Sequence, residues 1–102
     1  MEQEASLKQK LTGDLKQAMR RGDKARRSVI RLLLSAIGNA EIARHGTLDD
    51  AGILGIIAKE VRQRRESIEA FKNGDRPDLA AQEEAELTIL QEYLPRQMTR
   101  GE

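Results

Sequence analysis

Cysteine is absent from all 102 residues, which excludes disulfides, thiolate zinc sites and thiol nucleophiles together and makes the cytoplasm the expected location. Aromatic residues make up only 2%, so the core must be built from Leu, Ile, Val and Ala, and little is available for nucleobases to stack on. Histidine occurs once, at His45, beside a helix-ending glycine, which leaves no second imidazole at metal-ligand spacing. No apolar run approaches the roughly 20 residues a membrane span needs, and the N-terminal "MEQEASLKQK" is too polar for a signal peptide. What the chain has in quantity is charge, 34% of residues, within a helix-favouring mixture of Ala, Glu, Lys, Leu and Arg. The length corresponds to one domain with a single modest core.

The net charge of +1 hides a dipolar chain. Basic residues collect early, at Lys16, Arg20, Arg21, Lys24, Arg26, Arg27 and Arg31; acidic residues collect late, at Asp75, Asp78, Glu83, Glu84, Glu86 and Glu92. Either the two ends neutralise each other in the fold or the basic end meets an outside anion.

Ser6 followed by Gln9 has the form of a capping box, and Leu7, Leu11, Leu15, Ala18 and Met19 recur at helical spacing, predicting a first helix from Leu7 to Arg21. Gly22 is suited to end it, and Asp23 to cap the next. The second helix carries Val29, Ile30, Leu33, Leu34, Ile37 and Ile42 on its apolar face and is predicted to close at "RHG", with Gly46 as the terminal glycine. "TLDD" predicts a third helix capped by Thr47. Along it Leu54, Ile57, Val61, Ile68 and Phe71 mark one face, and Arg64 stands in the gap of that series. "NGDRP" breaks the chain, Pro77 fits the first turn of a fourth helix, and Leu94-Pro95 stops it. No segment alternates with period two. The predicted fold is an all-α, four-helix antiparallel domain with no sheet.

These segments resemble the GatB/YqeY family. The resemblance rests on "DLKQAMRRGDKARRSVIRLLLSAIGNAEI", "IAKEVRQRRESIEAF", "RPDLAAQEEAELTILQEYLP" and "RQMT", in that order. It implies a YqeY-type N-terminal helical domain over residues 1–95, with 96–102 beginning the linker to a second small helical domain that is absent here and residues after Pro95 loosely held. It also implies kinship with the C-terminal part of the aminoacyl-tRNA amidotransferase B subunit, whose tail helps hold tRNA, and the inherited activity of a carbon–nitrogen ligase with glutamine as amido donor. Gly38 and Gly55 depart from the family pattern where a better helix former is expected, and close helix contact is the predicted compensation.

Glutamine-dependent amide transfer needs a nucleophile to release ammonia and a phosphate site to activate the acceptor carboxylate. No Cys, Gly-rich Ser motif or phosphate loop is visible, so no catalytic residue, cofactor or metal ligand is predicted. Two clusters are singled out instead. A hairpin of the third and fourth helices brings together residues whose numbers sum to about 150, which sets Arg64 against Glu86 with Glu83 a turn away, as a structural ion pair. Arg62, Arg65 and Glu69 beside it read as a solvated face with helical ion pairs. The basic elbow of Arg20, Arg21, Lys24, Arg26, Arg27 and Arg31 is the candidate RNA or anion site, because cations crowd the start of the second helix, where the dipole disfavours them and an anion would find free N–H groups. A merely solvated face fits the same residues. The leading expectation is an accessory tRNA- or RNA-associated domain; the alternative is an adaptor that docks a protein partner through the acidic fourth helix, with a stand-alone ligase third. No membrane partner is expected.

Overall fold

The computed structural model describes residues 6–95 and shows four α-helices. They are α1 (Leu7–Arg21), α2 (Lys24–Arg44), α3 (Asp50–Asn73) and α4 (Pro77–Gln91), with no strand among the described residues. The linker expected over 96–102, and the loose hold expected after Pro95, lie outside the described residues.

Local chemistry sets the start of each helix. The Ser6 hydroxyl accepts from the Gln9 N–H at 3.1 Å while the Ser6 N–H donates to Gln9 Oε1 at 3.0 Å, a complete capping box. Asp23 accepts from the Arg26 N–H at 3.1 Å to open α2, and Pro77 occupies the first turn of α4. The start of α3 differs from expectation: Asp49, not Thr47, is the cap, accepting from the Gly52 N–H at 2.9 Å. The Leu48 N–H is tied to Glu41 Oε2 at 2.9 Å, which holds the chain out of helix past Thr47.

The first three helices end alike. A left-handed residue lets the N–H one position later reach the carbonyl five residues back: Asp23 to Ala18, Gly46 to Glu41, and Arg76 to Phe71. Only the first of these left-handed residues is a glycine, Gly22 at φ 70°; the others are His45 at 55° and Asp75 at 59°. Gly46, expected to take that role, follows His45 and supplies the closing N–H instead.

The helices pair as two antiparallel hairpins, α1 on α2 and α3 on α4, and both α3 and α4 touch α2. The core forms where the hairpins meet, with Leu11, Ile30, Leu33, Ile37, Ile57 and Leu90 fully enclosed. Tyr93, one residue past the end of the α4 cap, is buried in the same cluster. Two residues expected on the apolar faces are exposed: Met19 at 50% and Ile42 at 73%, each in the last turn of its helix. Close helix contact does not account for Gly38 and Gly55, because a Cβ at either would meet nothing within 4 Å.

Candidate functional site

Gly22 and Asp23 make the α1–α2 turn so short that the last turn of α1 and the first of α2 present their basic residues together. The cap leaves its mark on one of them. Arg26 donates through Nε to Asp23 Oδ2 at 3.3 Å, and its two terminal nitrogens reach both oxygens of Glu92 at 2.7 and 3.2 Å. This two-pronged pairing holds the Arg26 proton more tightly than usual and keeps Glu92 below the ordinary carboxylate range, in each case chiefly through the hydrogen bonds between them. Arg26 is therefore occupied in fastening the end of α4 to the elbow.

The other five candidates are differently placed. Arg20, Arg21, Lys24 and Arg31 are exposed and Arg27 is half-buried. Among the described residues none of the five takes part in an ion pair. The five leave the elbow with an excess of positive charge, the nearby Asp23 and Glu92 being engaged by Arg26.

Of the late acidic residues, Asp78, Glu83, Glu84, Glu86 and Glu92 are paired within the protein. Arg64, with 17% of its side chain exposed, lies 3.0 Å from Glu86, 3.4 Å from Glu83 and 3.2 Å from Glu60. The sequence spacing did not single out Glu60, although it stands one turn before Arg64 on the same helix. Lys72 meets Glu84 at 3.3 Å and Arg76 meets Asp78 at 3.2 Å, which keeps the Asp78 carboxyl below its usual range. The helical pair expected between Arg65 and Glu69 is not formed: both side chains are exposed, and neither joins an ion pair among the described residues.

Two anchors have no signature in the sequence. Glu41 accepts from Lys8 Nζ at 2.9 Å and from the Leu48 N–H, so that it joins α1, α2 and the following loop; the Leu48 N–H and then Lys8 hold its pKa down. Tyr93 donates its hydroxyl to Asp14 at 2.6 Å, and burial followed by this hydrogen bond pushes the phenol's pKa up. His45 is an exposed helix terminus, and among the described residues no three His, Cys, Asp or Glu side chains gather as a metal site would require. No helix among the described residues is long and apolar enough to cross a membrane.

A family model described as "Yqey-like protein" matches residues 8–102. The chain is also similar to proteins named "Altered inheritance of mitochondria protein 41, mitochondrial": 42% identical over 85 residues to that of Vanderwaltozyma polyspora, 42% to that of Lachancea thermotolerans and 40% to that of Saccharomyces cerevisiae. In each case 82% of this chain matches 46% of the relative, so the chain spans less than half the length of these curated relatives. Their names overturn the cytoplasmic location expected from composition. The lack of cysteine rules out a disulfide framework, but that is a statement about redox chemistry and selects no particular compartment.

Proposed function

The chain belongs to the YqeY-like protein family, and on that premise we propose that it is an accessory, non-catalytic helical domain that holds tRNA or another structured RNA by its phosphates. The process it serves is related to glutamine-dependent aminoacyl-tRNA amidation. The observation that carries this reading is the unpaired charge of Arg20, Arg21, Lys24 and Arg27 around one short turn, with Arg31 further along α2. Such a surface attracts a polyanion without reading its sequence. The acidic fourth helix gives less support to a protein adaptor, because Glu83, Glu84, Glu86 and Asp78 already face cations of the same hairpin. Amide transfer by the domain alone lacks support from residue chemistry, since no thiol and no phosphate loop is present in the sequence.

The test is tRNA binding by the wild-type chain and by a variant carrying Lys24→Gln, Arg27→Gln and Arg31→Gln. The variant keeps its helicity and loses affinity. The wild-type constant falls with salt with a log–log slope of roughly −2 to −3, as release of counterions from about three phosphates requires. Arg26→Gln serves as the contrast, costing stability through Glu92 with little direct effect on RNA. Equal binding by wild type and triple variant, or no binding by either at low salt, overturns the reading.

A further inference from the structure

We infer that the groove between α3 and the end of α4 is a docking site for an acidic protein segment with apolar anchor residues. The groove encloses about 450 Å³, within the roughly 300–1,000 Å³ typical of ligand clefts. Ala58 and Val61 of α3 and Leu94 and Pro95 beyond α4 give it an aliphatic floor, and Gln91 supplies an amide at its edge. Among the described residues the charged ones lining it are Arg62 and Arg65. Both are exposed, and neither joins an ion pair among the described residues, although Glu66 and Glu69 stand four positions further along the same helix. The contrast with Arg64 is sharp, since that neighbour is enclosed by three carboxylates. On α3 the inward arginine is neutralised and the two at the groove are not.

Charge and floor together select the occupant. Two guanidinium groups at a rim call for carboxylates or phosphates, which they bind in a forked geometry. Among the described residues the floor has no aromatic ring on which a base could stack, so RNA would satisfy the rim and leave the aliphatic surface unused. Leucine or isoleucine side chains flanked by Glu or Asp satisfy both. The residues that follow Pro95, "RQMTRGE", carry two arginines against one glutamate and so do not supply the complementary charge. The groove shares no residue with the basic elbow, and this inference stands or falls independently of RNA binding.

The experiment uses the full isotope-labelled chain and a synthetic peptide of about a dozen residues in which leucines at i, i+4 spacing are flanked by glutamates. Its addition shifts the amide signals of Arg62, Arg65 and Leu94, and binding weakens about tenfold or more in an Arg62→Glu, Arg65→Glu variant. These two side chains are exposed, and the variant keeps the fold, as its circular dichroism verifies. A peptide with lysines in place of the glutamates, or serines in place of the leucines, fails to bind. The inference is overturned if the acidic peptide shifts nothing, binds the double variant equally, or is matched by either control peptide. It is equally overturned if tRNA moves these signals and the peptide does not, or if Met98 of the chain itself shows methyl contacts with Val61 and Leu94.

Discussion

The Tyr93 hydroxyl donates to Asp14 at 2.6 Å, joining residues 79 positions apart. The neighbouring Glu92 grips Arg26 at the start of α2, so two consecutive residues at the end of α4 fasten both helices of the opposite hairpin. Lys10 lies 5.7 Å from the centroid of the tyrosine ring and 3.5 Å from Asp14, adding a cation to the same junction. The elbow whose outer face carries the unpaired cations is held from behind by this junction.

Replacing Tyr93 with Phe removes the hydroxyl and keeps the ring. The expected cost is about 1.5 kcal/mol, the lower end for a hydrogen bond to a charged acceptor, because Asp14 retains 34% of its side-chain exposure. Urea unfolding of the two proteins measures it; coincident midpoints would mean that water takes over the bond without loss.

Arg64→Met leaves Glu60, Glu83 and Glu86 facing one another without their shared cation. Its partial burial sets the expected loss at about 2 kcal/mol, between the values for exposed and fully buried pairs. Adding Glu86→Gln to the variant should restore part of that loss. A double variant no more stable than Arg64→Met would show that packing of the arginine stem, rather than its charge, carries the effect.

Gly38→Ala and Gly55→Ala each place a methyl group where nothing lies within 4 Å. Each substitution should stabilise the chain by up to about 1 kcal/mol, the helix-propensity difference alone. A lower thermal midpoint in either variant would show that the added methyl is not accommodated in the folded chain as the open space at these positions implies.

The acid side of the stability curve should report Glu92 and Glu41. Hydrogen bonds from Arg26 lower the first, and the Leu48 N–H and Lys8 lower the second. A carboxylate lowered by folding contributes stability above its unfolded pKa, about 4.3 for Glu, and that contribution is lost as the pH falls through the folded value. The difference in unfolding midpoint between wild type and Glu92→Gln should therefore be present at neutral pH and shrink below pH ~4. A constant difference across that window would exclude the ion pair as its source.

Much of this architecture is legible because it is local. The Ser6–Gln9 box, the Gly22–Asp23 turn and Pro77 mark helix ends through atoms within five residues of one another, so they can be read without knowing where the rest of the chain lies. The approach of Arg64 to Glu83 and Glu86 is nearly local too, since the short break at residues 74–76 forces α3 and α4 into antiparallel register. Membership of the family is likewise carried by the sequence itself, over residues 8–102.

The angle and depth at which the two hairpins meet are different in kind. No local rule relates Arg26 to Glu92 or Asp14 to Tyr93; those partners are chosen when the apolar faces of Ile30, Leu33, Ile57 and Leu90 close on one another and carry the polar groups with them. That closure removed Arg26 from the group of cations available to an outside anion and buried the ring of Tyr93. It also left Arg62 and Arg65 facing an aliphatic groove rather than the carboxylates four residues along their own helix. Helix positions and their charge were set by the sequence, through propensity and capping at short range. Which charges are neutralised and which face solvent was decided by tertiary packing, because burial of the apolar faces is worth more than any single surface ion pair.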